Sequence, residues 1–197
     1  MKRTFSRVLI LTLALIGAGT LNAGIIVDQQ QPSALDWIAG FWQPDTAQSF
    51  QQANSNIAGA GIQLQPAAGE GTGDIWITLY DLLPNAGGIV LAQGHVMGVP
   101  AGGFAQVLWG TVAIVPDTTY YLGFTSSNLT LGLAGDLHNP YPRGQAYANE
   151  GYGSFPNDDY AFETYAEVGG VPEPATLALT AFGLAGLLGL CRRRRTA

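Results

Sequence analysis

The sequence predicts an all-β fold, a single antiparallel β-sandwich, over residues 24–170. Three observations support this. No stretch of about eleven residues or more in that span carries the roughly 3.6-residue apolar spacing of an amphipathic helix. Short runs of apolar, β-branched and aromatic residues recur instead, separated by clusters of Gly, Pro, Asn and Asp. The span also holds 22 of the 27 glycines, 9 of the 11 prolines, all four Trp and all eight Tyr, with no Lys and no Cys.

Taken in order, the chain opens on a segment of another kind. Lys2, Arg3 and Arg7 precede an apolar run from Val8 to Ile16, Gly17 to Gly19 break that run, and Leu21-Asn22-Ala23 offers a small residue at a cut. Residues 1–23 therefore read as a secretory signal peptide cleaved after Ala23, which implies export through the Sec translocon. In the body, Ile57 to Leu64 reads as an early strand. Asp74 to Asp81 alternates, with Ile75, Ile77 and Leu79 on one face and Trp76 and Tyr80 on the other. Pro84-Asn85-Ala86-Gly87-Gly88 is a turn, and Ile89 to Leu91 begins the next strand. The nearly continuous apolar run Phe104 to Val115 predicts a central strand. Pro116-Asp117-Thr118 turns the chain, Tyr120, Leu122 and Phe124 alternate after it, and Tyr160 to Val168 forms the last strand. Eight or so such strands bury an adequate core for a domain of this size.

The chain closes on Val171-Pro172-Glu173-Pro174, an apolar run from Ala175 to Leu190, Cys191 and the arginines Arg192, Arg193, Arg194 and Arg195. Two prolines keep residues 172–174 extended, so a helix starts only after them. The run is about 16 residues, roughly 25 Å at helical rise, short for a bilayer span. The arginines stay on the cytoplasmic side, which leaves the body outside. A transmembrane helix over 175–191 is the expectation.

These three parts in this order resemble the PEP-CTERM sorting signal of Gram-negative bacteria over residues 171–195. The resemblance implies recognition by an exosortase-type processing protease, cleavage near the Pro-Glu-Pro box, and passage from an inner-membrane-anchored precursor to the outer cell surface or extracellular matrix. It also implies a setting of exopolysaccharide and biofilm. A permanent tail anchor is the alternative. The body more weakly resembles the jelly-roll, galactose-binding-like modules of bacterial surface proteins, through Ala47-Gln48-Ser49-Phe50, Leu79-Tyr80-Asp81 and Asp159-Tyr160-Ala161-Phe162-Glu163-Thr164-Tyr165. That likeness implies a sandwich, not a ligand.

Charge and composition exclude several functions. The 8 basic and 14 acidic residues sum to −6, but between residues 24 and 170 Arg143 is the only basic side chain, against 13 acids, so the body carries 1 − 13 = −12. Such a body does not bind nucleic acid through its phosphates. One cysteine, Cys191, precludes a disulfide framework. His95 and His138 lack zinc-site spacing, and no serine sits in a Gly-x-Ser-x-Gly elbow. Gly69-Glu70-Gly71-Thr72-Gly73 precedes a strand and lacks a phosphate-loop lysine, so it reads as a turn.

Two chemistries remain. Asn157-Asp158-Asp159, with Asp136, Asn139 and Glu150, offers loop oxygens suited to calcium, and Asp136, Asp158 and Asp159 are the candidate ligands, although the spacing is not that of an EF-hand. The bland alternative is a solvated acidic loop. Trp37 and Trp42, with Tyr141 and Tyr152 in the Gly- and Pro-rich segment 140–156, are candidate carbohydrate contacts, or else core filler. The expected function is non-enzymatic, a structural or adhesive component of the surface or exopolysaccharide matrix. A carbohydrate-binding module with a defined ligand is the alternative. A polysaccharide hydrolase would need paired carboxylates such as Asp36, Asp45 or Glu163 across a cleft.

Overall fold

The computed structural model describes residues 24–66 and 70–169. The signal peptide, the sorting box Val171 to Pro174, the helix expected over 175–191 and the arginine run lie outside the described residues. Thirteen strands are present among those described: β1 (Gly24–Gln31), β2 (Asp36–Gly40), β3 (Ala47–Gln51), β4 (Asn56–Gln65), β5 (Thr72–Tyr80), β6 (Val90–Pro100), β7 (Phe104–Ala113), β8 (Thr119–Ser126), β9 (Gly132–Asp136), β10 (Ala146–Ala148), β11 (Gly153–Phe155), β12 (Asp159–Tyr160) and β13 (Phe162–Val168). One 3₁₀ turn, Pro84–Ala86, occupies the predicted Pro-Asn-Ala-Gly-Gly turn and closes on Gly87 at φ 85°. No helix among the described residues is long and apolar enough to cross a membrane.

The strands form two antiparallel sheets. One runs β1-β13-β4-β9-β12, with β2 on β9 and β7 on β4; the other runs β11-β10-β3-β8-β5-β6. The chain passes repeatedly from one sheet to the other, so their inner faces enclose one core. The alternation read from the sequence sets that core. Ile75, Ile77 and Leu79 of β5, Tyr120, Leu122 and Phe124 of β8, and Ile57, Ile62 and Leu64 of β4 are all buried. Phe162 of β13 fills the centre, 6.5 Å from the Phe50 ring and 5.2 Å from the Tyr141 ring, edge-on to the latter. β1 pairs with β13 in a register that sets Gly24 opposite Val168 and Val27 opposite Tyr165, with a bulge between Val27 and Gln29.

One expectation needs correction. The apolar run Phe104 to Val115 is not a central strand, because β7 pairs only with β4 among the described residues and lies at a sheet edge. Its inward residues Ala105 and Val107 are buried, while Phe104 and Leu108 are exposed. Their side chains lie across Gly61 and Gly59 of β4, which lack side chains of their own. The run is apolar on both faces because its outer face roofs a glycine-rich neighbour, not because a further strand covers it. Strands β1, β2, β3, β9, β10 and β11 do not stand out in the sequence; they are short, or, like Asp28-Gln29-Gln30-Gln31, polar.

Candidate functional site

The tryptophan pair forms a surface feature. Trp37 on β2 and Trp42 just beyond it stack with ring centroids 5.5 Å apart and an interplanar angle of 22°. They are 44% and 53% exposed, so neither is core filler. A tight turn returns Trp42 over the strand: Gln43 N–H donates to the Gly40 carbonyl at 2.9 Å, and Gly40 N–H donates to Gln43 Oε1 at 2.9 Å. A Cβ at Gly40 would lie 2.0 Å from a Trp42 ring carbon, so the ring is seated where only glycine fits. The turn is tied to the neighbouring loop by Gln43 Nε2 donating to Asn149 Oδ1 at 3.0 Å and by Gly151 N–H donating to Asp45 Oδ2 at 2.8 Å.

Tyr141 belongs elsewhere. It is only 7% exposed, its ring packs on Phe162, and its hydroxyl donates to Gln29 Oε1 at 2.9 Å. As a surface sugar contact it is corrected to a core residue, held there because burying its hydroxyl requires the glutamine acceptor. Tyr152 is half-buried, with backbone φ 58°. Burial, with the neighbouring Asp45 charge, pushes its hydroxyl up to about 12.

The predicted calcium ligands are not brought together as one cage. Asp159 is fully buried and both its oxygens are taken: Gln48 Nε2 donates to Oδ1 at 2.8 Å and Tyr141 N–H to Oδ2 at 3.0 Å. It is an internal strut, not a solvent-facing ligand. Asp136 instead groups with Asp36 and His138, whose ligand atoms lie within 4.8 Å of one another. Internal bonds already hold that group: Ser33 Oγ donates to Asp136 Oδ2 at 2.6 Å, His138 N–H to Asp136 Oδ1 at 3.0 Å, and Leu137 N–H to Asp36 Oδ2 at 3.3 Å. The Ser33 hydroxyl, and after it the His138 side chain, hold the Asp136 carboxyl below its usual range. His95 stands apart from this group, exposed on β6. Glu163 accepts the Tyr165 hydroxyl at 2.6 Å.

The carboxylates set a pH dependence of stability. Burial, with Asp36 nearby, raises Asp158. Burial also raises Asp159, aided by Asp158 and Asp136, against the opposing bonds from Gln48 and Tyr141. On acidification the folded chain takes up these protons before the unfolded chain does, so stability rises until unfolded carboxyls titrate near ~3.9. Asp28 has the opposite sign. Burial works to raise it, but donors from Gln29, Ala53 and Asn54 outweigh burial and hold it low, so its contribution is lost as pH falls through its folded value. Thermal melts followed by circular dichroism should therefore give a melting temperature that climbs on acidification towards about pH 4 and declines below about 3.5. A steady fall from pH 7 downward would contradict this assignment.

Sequence reading placed Trp76 and Tyr80 on the β5 face opposite the core but did not find their neighbours. On that outer face Trp76 stacks on His95 of β6, centroids 5.1 Å apart at 13°, and Tyr121 of β8 meets Tyr147 of β10 edge-on at 5.8 Å. Alternation within each strand was the available signal; the cross-strand register that unites them was not.

Residues 170–195 match the PEP-CTERM protein-sorting motif. No curated protein matches the chain. The motif marks an exported protein handled by an exosortase-type protease, anchored in the membrane first and then displayed at the cell surface.

Proposed function

We propose that the protein is a structural or adhesive component of a bacterial cell surface or exopolysaccharide matrix, acting without catalysis. The sorting motif at residues 170–195 carries this reading, because it delivers the body to that location. The body's charge supports a passive role there: with 13 acids against Arg143 it stays soluble and repels anionic polymers unless cations intervene. Calcium enters as such a bridging cation. Millimolar calcium should raise retention of the protein on an anionic polysaccharide and chelation should reverse it; retention indifferent to calcium would remove the bridge.

Processing is tested by mass spectrometry of protein shaved from intact cells or recovered from the medium. The mature form should begin at Gly24 and lack residues 175–197. Surface protein that keeps its tail would favour a permanent anchor.

A carbohydrate-binding module with a defined ligand is the second reading, favoured by the exposed Trp37–Trp42 stack. Its flat, preorganised rings suit stacking against a sugar face. Pull-down on extracted exopolysaccharide should retain the protein, and joint Trp37→Ala and Trp42→Ala substitution should reduce retention about tenfold, the effect of losing some 1.4 kcal/mol of contact. Equal retention of the double variant would leave the stack without a binding role.

A further inference from the structure

The outer face of the β10-β3-β8-β5-β6 sheet has an organisation that folding alone does not require. Cross-strand register aligns Tyr147, Ala47, Gly123, Thr78 and Gln93 in one row across the sheet. Tyr121 and Tyr80 are partners in the row on one side of it, and Thr125, Trp76 and His95 form the row on the other. Small residues thus floor the centre, and rings stand around it. Tyr80 leans across the floor, since a Cβ at Gly123 would lie 2.9 Å from its Cε2. Trp76 lies parallel to His95, and Tyr121 is braced edge-on by Tyr147. Five strands at about 4.8 Å spacing make the face roughly 19 Å wide. Trp76, Tyr80, Tyr121 and Tyr147 are all half-buried, so each keeps part of its surface open to solvent.

Polar groups are interleaved with these rings. Gln93 is exposed and its Nε2 donates to Thr78 Oγ1 at 2.8 Å, and Thr125 is exposed beside Trp76. Burial and the adjoining Tyr147, to which it is hydrogen-bonded, raise the Tyr121 hydroxyl. Thr78 and Gly123 at the centre offer no contiguous aliphatic patch, and the polar groups between the rings suit a hydroxyl-rich ligand. Charge selects among the remaining ligands. The face carries no Lys or Arg, and the body's one arginine, Arg143, is engaged with Asp117 in the turn before β8. Nothing on the face compensates a carboxylate, sulfate or phosphate, so the complementary ligand is one without negative charge.

We propose that this face, centred on Trp76, Tyr80 and Tyr121, binds a strand of uncharged polysaccharide, its sugar rings stacked on the aromatic rings and its hydroxyls hydrogen-bonded to Gln93, Thr125 and the tyrosine hydroxyls. The site differs from the Trp37–Trp42 stack and rests on the matrix reading above only for where its ligand would be met. With both surfaces engaged, one molecule would link two polymer strands, and retention would exceed that from either contact alone.

The test is native affinity electrophoresis of the full chain in mild detergent, through gels containing dextran, galactomannan or hydroxyethylcellulose as uncharged probes, and alginate as the anionic one. Retardation by at least one uncharged polymer is expected, weakened about tenfold by Trp76→Ala and by Tyr121→Ala, with no retardation by alginate in chelator. His95→Ala, at an exposed position, should give a smaller loss and guards against misfolding of the other two; melting curves of all variants accompany the gels. Retardation abolished only by the joint Trp37→Ala and Trp42→Ala change would overturn this proposal while leaving the carbohydrate-binding reading intact. Absence of retardation by every uncharged polymer, or retardation by alginate alone, would also overturn it, and neither result bears on surface delivery, which mass spectrometry reads separately.

Discussion

Gln48→Leu should lower stability by about 3 kcal/mol, the cost of leaving a buried acceptor of this kind without its donor. Gln48 has no exposure and makes two bonds that link the sheets: Nε2 to Asp159 Oδ1 at 2.8 Å, and Oε1 from Tyr160 N–H at 2.9 Å. Leucine fills similar volume, so the loss is electrostatic and not a matter of packing. Removing the amide orphans one carboxylate oxygen of a fully buried aspartate and one backbone N–H of the strand beside it. In a domain of this size the melting temperature should fall by roughly 6–12 °C. The deficit has a signature. Because Asp159 is already raised by burial, acidification lets the orphaned carboxyl take up a proton, so the gap between variant and parent should narrow from pH 7 to pH 4.5. A gap that stays constant across that range would mean that the amide contributes only shape.

Phe162→Ala should cost more, about 3–5 kcal/mol, by leaving a cavity. The ring has no exposure and is packed between Phe50 and Tyr141. Neither neighbour can follow it inward: Phe50 is tilted against Tyr120 at 6.3 Å, and Tyr141 is held by its hydroxyl on Gln29 and its N–H on Asp159. Denaturant unfolding should therefore show a lower midpoint with an unchanged slope. A loss under about 1.5 kcal/mol would mean that the sheets collapse onto the space. Since Tyr141 packs on Phe162 and donates to Asp159, the partner of Gln48, the two substitutions are linked through one bonded pair, and their double variant should depart from additivity.

How much was legible in the sequence depended on the range of the information needed. Ile75, Ile77 and Leu79 declared their face because alternation is local to one strand, and β5 and β8 were placed correctly. The sorting tail was legible because its three parts are contiguous. β7 was misplaced because an apolar run reports burial without saying what buries it, and here its outer half covers glycines on β4. Tyr141 and Asp159 were read as surface groups from their loop-like surroundings. The segment folds back across the sandwich, and their satisfaction comes from Gln29, Gln48 and Phe162, up to 112 residues away in the chain. The aromatic face failed for the same reason: Trp76, His95, Tyr121 and Tyr147 lie on four strands, and only register makes them neighbours.

The pairing of Gly24 with Val168 has a mechanical consequence. Both ends of the described body leave from the same end of one antiparallel ladder, whose bonds run perpendicular to the strands. Tension applied between those two ends loads the bonds one at a time, like a zipper, and not all together in shear. Peeling would run from Gly24 to Val27 and then reach the bulge, where Asp28 grips the Ala53 and Asn54 amides at 2.9 and 2.7 Å. That clamp, belonging to a different part of the chain, is where the tear would meet its first side-chain resistance. A body gripped instead on the outer face of the β10-β3-β8-β5-β6 sheet and at one terminus would carry the load across the core, so the strength of this molecule under flow would depend on which of its points are held.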